Sequence, residues 1–158
     1  ELEVEELEHL FRSNVSTAMQ LVSVARDAVR QAQGAWILFG CAGLNGQRAR
    51  RESAAYGAVK SALLTLVRAM ALEEAAFGVR VNMISPGLVP HDAAHATTVA
   101  AERLARIPTG EPTRPENVAD VVAWALSDRA RQVTGQNLEV SGGQACDALD
   151  GTVHRSSR

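Results

Sequence analysis

Cysteine is scarce: the 158 residues contain two, Cys41 and Cys146. That excludes a disulfide framework and a cysteine-built metal site, and it points to a reducing compartment, here taken as the cytoplasm. The four histidines are His9, His91, His95 and His154. His91 and His95 are one helical turn apart, but no carboxylate or cysteine cluster completes a site, so no metal is expected. A large charge of either sign is missing as well: the net charge is −2. Nothing therefore suggests nucleic acid or an anionic membrane as partner. No apolar run is read as reaching the ~20 residues of a membrane span. The acidic start, Glu1-Leu2-Glu3-Val4-Glu5-Glu6, carries no secretory signal pattern and no initiating methionine. It reads as beginning in or just before a helix, with something upstream removed. Internal repeats, low-complexity segments and interdomain linkers are absent.

What is present is ordinary globular composition, 46% hydrophobic and 22% charged residues, enough for one domain with its own core. Residues 4–33 read as one long helix, with apolar residues from Val4 to Val29 at helical spacing. Asn14 lies in its middle. Gly34 is the expected C-cap. Ala35-Trp36-Ile37-Leu38-Phe39 is a continuous apolar run, as in strands covered on both faces of a parallel sheet. A small-residue turn, 40–46, and a charged, solvated loop, 47–52, follow. Residues 53–77 read as a second long helix, with Ser53 as N-cap and Gly78 as terminator. The next strand is read at 79–85, broken by Pro86-Gly87. A loop from 88 leads to a short helix at about 96–107. Pro115 opens a helix running to about Ser127. Val133-Thr134-Gly135-Gln136 is a turn, Asn137-Leu138-Glu139-Val140 a strand, and 144–158 a polar tail. Helices between strands imply crossovers, hence an α/β fold with a parallel sheet.

One pair stands out chemically. Tyr56 and Lys60 are four apart on the second helix and so share a face. A phenol loses its proton only near pH ~10. A cation within a few ångströms favours the phenolate. Such a pair can pass a proton to or from a carbonyl or alcohol oxygen. The same spacing also arises on any solvated helix face.

The surrounding residues resemble the short-chain dehydrogenase/reductase family. Tyr56-Gly57-Ala58-Val59-Lys60 fits its Y-x-x-x-K motif. Val81-Asn82-Met83-Ile84-Ser85-Pro86-Gly87 resembles its strand ending in N-x-I-x-P-G. Val133-Thr134-Gly135-Gln136 and then Val140-Ser141-Gly142-Gly143 are similar to its T-G-Q and D-G-G region. Asn14 stands where the family places its proton-relay asparagine, and Trp36-Ile37-Leu38-Phe39 resembles the strand before its catalytic serine. The resemblance covers residues 1–143. It implies the C-terminal part of a doubly wound, Rossmann-like parallel sheet, followed by a tail at 144–158.

The resemblance further implies a ketone substrate, with 3-oxoacyl thioesters as the nearest class. Tyr56 would move the proton, Lys60 would tune it and bind the nicotinamide ribose, and Asn14 would hold a relay water. Pro86, Gly87 and Val89 would line the nicotinamide of NADP or NAD. Helices 4–33 and 53–77 would pack in a homo- or hetero-oligomer. Two departures accompany the match. The family's T-G-x-x-x-G-x-G phosphate loop is absent, so cofactor binding would need the missing N-terminal half or a partner chain. The strand at 35–39 would then be an open, apolar edge. The catalytic serine also looks lost, its place aligning with Gly40 or Gly43, next to Cys41, a weak donor. His91 replaces a common cofactor-contacting threonine. A non-catalytic subunit that keeps only the docking surfaces is the alternative.

Overall fold

The computed structural model describes residues 3–46, 53–90 and 104–144. Helix α1 (Val4–Phe11) runs into a π-helical segment (Arg12–Ser16) and then α2 (Thr17–Gln31). The single helix expected over 4–33 is therefore wound more widely in its middle. The Thr17 N–H reaches back five residues to the Arg12 carbonyl, which also accepts the Thr17 hydroxyl at 3.0 Å. Such bulges occur often at functional sites, and this one carries Asn14. The helix closes on Gln33, not Gly34. Gln33 takes the left-handed conformation (φ 48°), and the Gly34 N–H returns to the Val29 carbonyl at 3.0 Å.

Strand β1 (Ala35–Phe39), helix α3 (Ala54–Glu74) with a 3₁₀ turn (Ala75–Phe77), and strand β2 (Arg80–Pro86) come next. Ser53 occupies the N-cap position of α3 without a side-chain capping bond. Gly78 ends the element in the left-handed region (φ 72°), as expected. Helix α4 (Pro115–Leu126) starts on its proline, with the Arg114 N–H donating to Asn117 Oδ1 at 3.0 Å. A 3₁₀ turn (Asp128–Ala130) and strand β3 (Asn137–Val140) complete the described chain. Most of the helix expected at 96–107, the loop 47–52, and the tail beyond Gln144 lie outside the described residues, as do His91, His95, Cys146 and His154.

The three strands form one parallel sheet in the order β1-β2-β3. Successive residues of β2 point to opposite faces. Val81 and Met83 join the apolar cluster under α3, with Val59, Leu63, Val67 and Met70. Arg80 instead reaches the last carbonyls of α4, donating to Ala125 O and Leu126 O. Helices thus cover both faces of the sheet. Each fully buried Leu or Val here contributes about 1.5–3 kcal/mol.

Two features went unseen in the sequence. Ala54–Phe77 is long and apolar enough to cross a membrane by length and composition, contrary to the expectation above. It is the core helix of this domain, and Glu74, at 0% exposure, is buried near its end. Glu74 is held by Arg30 through two hydrogen bonds of 2.8 Å and by Arg26 at 3.3 Å. Arg30 holds the carboxyl below the usual range, and the Arg30 guanidinium stacks 3.7 Å from the centre of the Phe77 ring.

The second feature is a polar staple between β2 and the turn before β3. Buried Asn82 donates to Val133 O at 2.8 Å and accepts the Gln136 N–H at 3.0 Å. Thr134 Oγ1 accepts the Val81 N–H at 3.0 Å. The motifs that carried the resemblance in this region are structural. They satisfy buried polar groups that a bare turn would leave unpaired.

Candidate functional site

Parallel strands end together, and ligands bind outside their carboxyl ends. Here the ends of β1 and β2 and the start of α3 enclose a cavity of about 370 Å³. Tyr56 lines it, with Gly40, Cys41 and Ala42 after β1, Pro86 at the end of β2 and Gly87–Val89 after it, and Gln144 after β3. Of the residues expected to act together, Tyr56, Pro86, Gly87 and Val89 share this cavity. Gly87 has a steric reason to be glycine, since a Cβ would lie 2.8 Å from Ser141 Cα and 2.9 Å from Gln144 Oε1. Gln144 Oε1 also accepts the Leu88 N–H at 3.1 Å.

Asn14 and Lys60 line a second space, an apolar groove of about 300 Å³ between α2, α3 and β1. Asn14 Nδ2 donates to Leu10 O at 2.9 Å, a bond within its own helix. Lys60 is 93% buried, and its Nζ donates to the Phe39 carbonyl at 2.8 Å. Burial is the main cause of its lowered pKa, with the charge of Cys41 opposing. The ammonium is nonetheless 5.4 Å from the centre of the Tyr56 ring, within cation–π range. The pair therefore joins the two spaces: the phenol faces the cavity, and the ammonium is tied to the groove.

The glycines taken as a lost serine need another reading. A Cβ on Gly40 would lie 2.3 Å from Ser85 Oγ and 2.5 Å from Met83 Sδ. No serine fits there. Gly43 is outside the cavity wall, in the left-handed region (φ 92°), with its N–H on Glu139 Oε1 at 3.1 Å. The side chain beside Tyr56 is Cys41, buried in the cavity wall. The signal was available: glycine next to a strand marks close backbone approach as readily as a vacated function. Gln144 was missed because it follows the last recognisable motif. Among the described residues, no three or more His, Cys, Asp or Glu side chains gather as a metal site.

A family model described as enoyl-(acyl carrier protein) reductase matches residues 1–145. The 3-oxoacyl-[acyl-carrier-protein] reductase FabG of Escherichia coli K12 is 30% identical over 142 residues, 88% of this chain and 57% of that protein. The cis-4-hydroxycyclohexanecarboxylate dehydrogenase of Sinomonas cyclohexanicum is 36% identical over 114 residues, covering 71% and 46%. A short-chain type dehydrogenase/reductase structure from Mycobacterium ulcerans superposes with a TM-score of 0.80 at 30% identity, over 90% of this chain and 53% of that one. The chain thus spans about half the length of these relatives.

Proposed function

Because the chain belongs to the short-chain dehydrogenase/reductase family, we propose that it forms the carbonyl-handling part of a nicotinamide-dependent oxidoreductase. One observation carries the reading: Tyr56 faces a cavity of about 370 Å³ while the Lys60 ammonium lies 5.4 Å from its ring. The Tyr56 hydroxyl gives its proton to a ketone oxygen in the cavity. Lys60 stabilises the phenolate that remains. Cys41 and the Pro86–Val89 loop set the width of the cavity around that oxygen.

Gly87 is glycine for the chain's own packing, since a Cβ would collide with Ser141 and Gln144. What fits a nicotinamide is the cavity of about 370 Å³ that Pro86–Val89 line beside Tyr56. Pro86, Gly87 and Val89 would hold it, and when bound it supplies the hydride. The described residues include no glycine-rich helix start to take the pyrophosphate. That part of the cofactor, NADP or NAD, needs a further segment from the same or another polypeptide. A 3-oxoacyl thioester is the substrate class supported by the Escherichia coli relative. Exposed Phe11 and Leu72 suit an oligomer through α1–α2 and α3, in the cytoplasm.

A second reading, a non-catalytic subunit, is favoured by the Lys60 bond to a backbone carbonyl. Fluorescence titration with NADPH and NADH separates the two. The chain alone should not saturate below millimolar cofactor, whereas the assembly that contains it should. An assembly with no binding at millimolar cofactor would leave the non-catalytic reading.

A further inference from the structure

Resting on the oxidoreductase reading, we infer that Gln144 sets substrate specificity. Its side-chain amide donates a hydrogen bond to a second carbonyl on the substrate, while Tyr56 acts on the first.

The turn after β3 brings Gln144 to the cavity. Gly142 and Gly143 are both in the left-handed region, with φ of 59° and 83°, which glycine adopts at little cost. The Gln144 N–H closes the turn on Ser141 O at 3.0 Å. A neighbouring segment pins it from outside. The Thr109 N–H donates to Gly142 O at 3.1 Å, and a Cβ on Gly143 would meet Pro108 Cγ at 3.0 Å. The chain doubles back, and Gln144 joins the cavity wall beside Leu88.

One bond orients the side chain there. A backbone N–H only donates, so the atom that receives Leu88 N–H at 3.1 Å is the oxygen, Oε1. Nε2 is then on the other arm of the same planar group. Glycine at 87 leaves the room this needs, since a Cβ would lie 2.9 Å from Oε1. Among the described residues no acceptor takes the Nε2 hydrogens. A carboxamide with its oxygen engaged and its donors unused is the kind of polar group that fixes a ligand's orientation in a pocket.

Tyr56 enters the cavity from the start of α3, and Gln144 from the strand farthest from β1. A substrate with its ketone at Tyr56 therefore meets Gln144 with a different group, and that group must accept a hydrogen bond. A 3-oxoacyl thioester carries one, the thioester oxygen, separated from the ketone by a single methylene. A simple ketone carries none. The other acceptor of this kind is the carboxamide oxygen of a nicotinamide, and the experiment distinguishes the two.

The test uses the assembly containing this chain, with an acetoacetyl thioester and its thioether counterpart, in which a methylene replaces the thioester carbonyl. Gln144→Glu keeps an oxygen for Leu88 N–H and loses the donors. Its kcat/KM should fall about tenfold for the thioester, mainly through KM, and stay unchanged for the thioether. Equal losses on the two substrates, or none on the thioester, would overturn the inference. Binding is read without turnover in the presence of NADP⁺, by ¹⁵N NMR of the Gln144 side-chain amide, assigned by its loss in Gln144→Glu. The signal should move on adding the thioester and stay still with the thioether. A static signal, or one that has already moved fully with NADP⁺ alone, would also overturn it. A signal that moves with the thioester in an assembly that turns over neither compound would keep the role of Gln144 and sink the oxidoreductase reading instead.

Discussion

The two flanks of β2 are built differently. On the β3 side, nearly every polar motif residue is spent inside the chain. Asn82 and Thr134 staple the turn, Ser85 donates to Asn137 Oδ1, and Glu139 holds the Gly43 N–H. On the β1 side, an apolar strand ends at an outward row of backbone groups with one lysine across it. Both β1 and β3 are outer strands among the described residues. What differs is that the β3 flank is tied to β2 by side chains and the β1 flank by backbone ladder and apolar packing. The chemistry-bearing pair stands at their junction, with Tyr56 in the cavity and Lys60 at the groove, bonded to the Phe39 carbonyl.

The contrast can be broken by matched substitutions. Asn82→Ala strips two buried bonds and leaves Val133 O and the Gln136 N–H unpaired. It should cost about 3 kcal/mol in urea unfolding. Leu21→Ser, on the rim of the groove, should stay within about 1 kcal/mol. Similar costs for the two would erase the distinction between the flanks.

A smaller effect separates two neighbours in the cavity wall. Gly40→Ser forces a side chain against Ser85 and Met83, which should destabilise by about 2 kcal/mol. Cys41→Ser puts a hydroxyl at the position beside Tyr56 with little change in volume, and thermal unfolding should move by less than half as much. If Gly40→Ser were the milder change, the placement of Cys41 in the wall would be wrong.

The smallest effect depends on pH. Arg30 first, and Arg26 less, hold the Glu74 carboxyl below its ordinary value. A depressed carboxylate adds stability that is fully present above the unfolded value of ~4.3 and is lost as pH falls through the lower folded value. Acid unfolding of the native chain should therefore steepen below pH ~4.3. Glu74→Gln, although less stable at neutral pH, should show a flatter acid limb.

Much of the fold was legible. Helical spacing located α1–α2 and α3, the apolar run located β1, and Pro115 opened α4. Local pattern could not show where a helix winds widely, because the Arg12–Ser16 bulge depends on which carbonyl Thr17 reaches. It could not show the Arg30–Glu74 bond either, because its partners are 44 residues apart. The candidate site residues could be named from the sequence, but not their arrangement. Tyr56 and Lys60 do share a helix face, yet each faces a different space. Gly40 read as a lost function because the sequence does not display Ser85 and Met83 pressing on it.

The central claim is that Tyr56 moves the proton for a carbonyl substrate. The direct measurement is NADPH oxidation by the assembly containing this chain, with acetoacetyl thioester as substrate, for the native protein and Tyr56→Phe. The account predicts turnover that falls by about 10²–10⁴-fold in Tyr56→Phe with the fold intact. Turnover unaffected by Tyr56→Phe would contradict it.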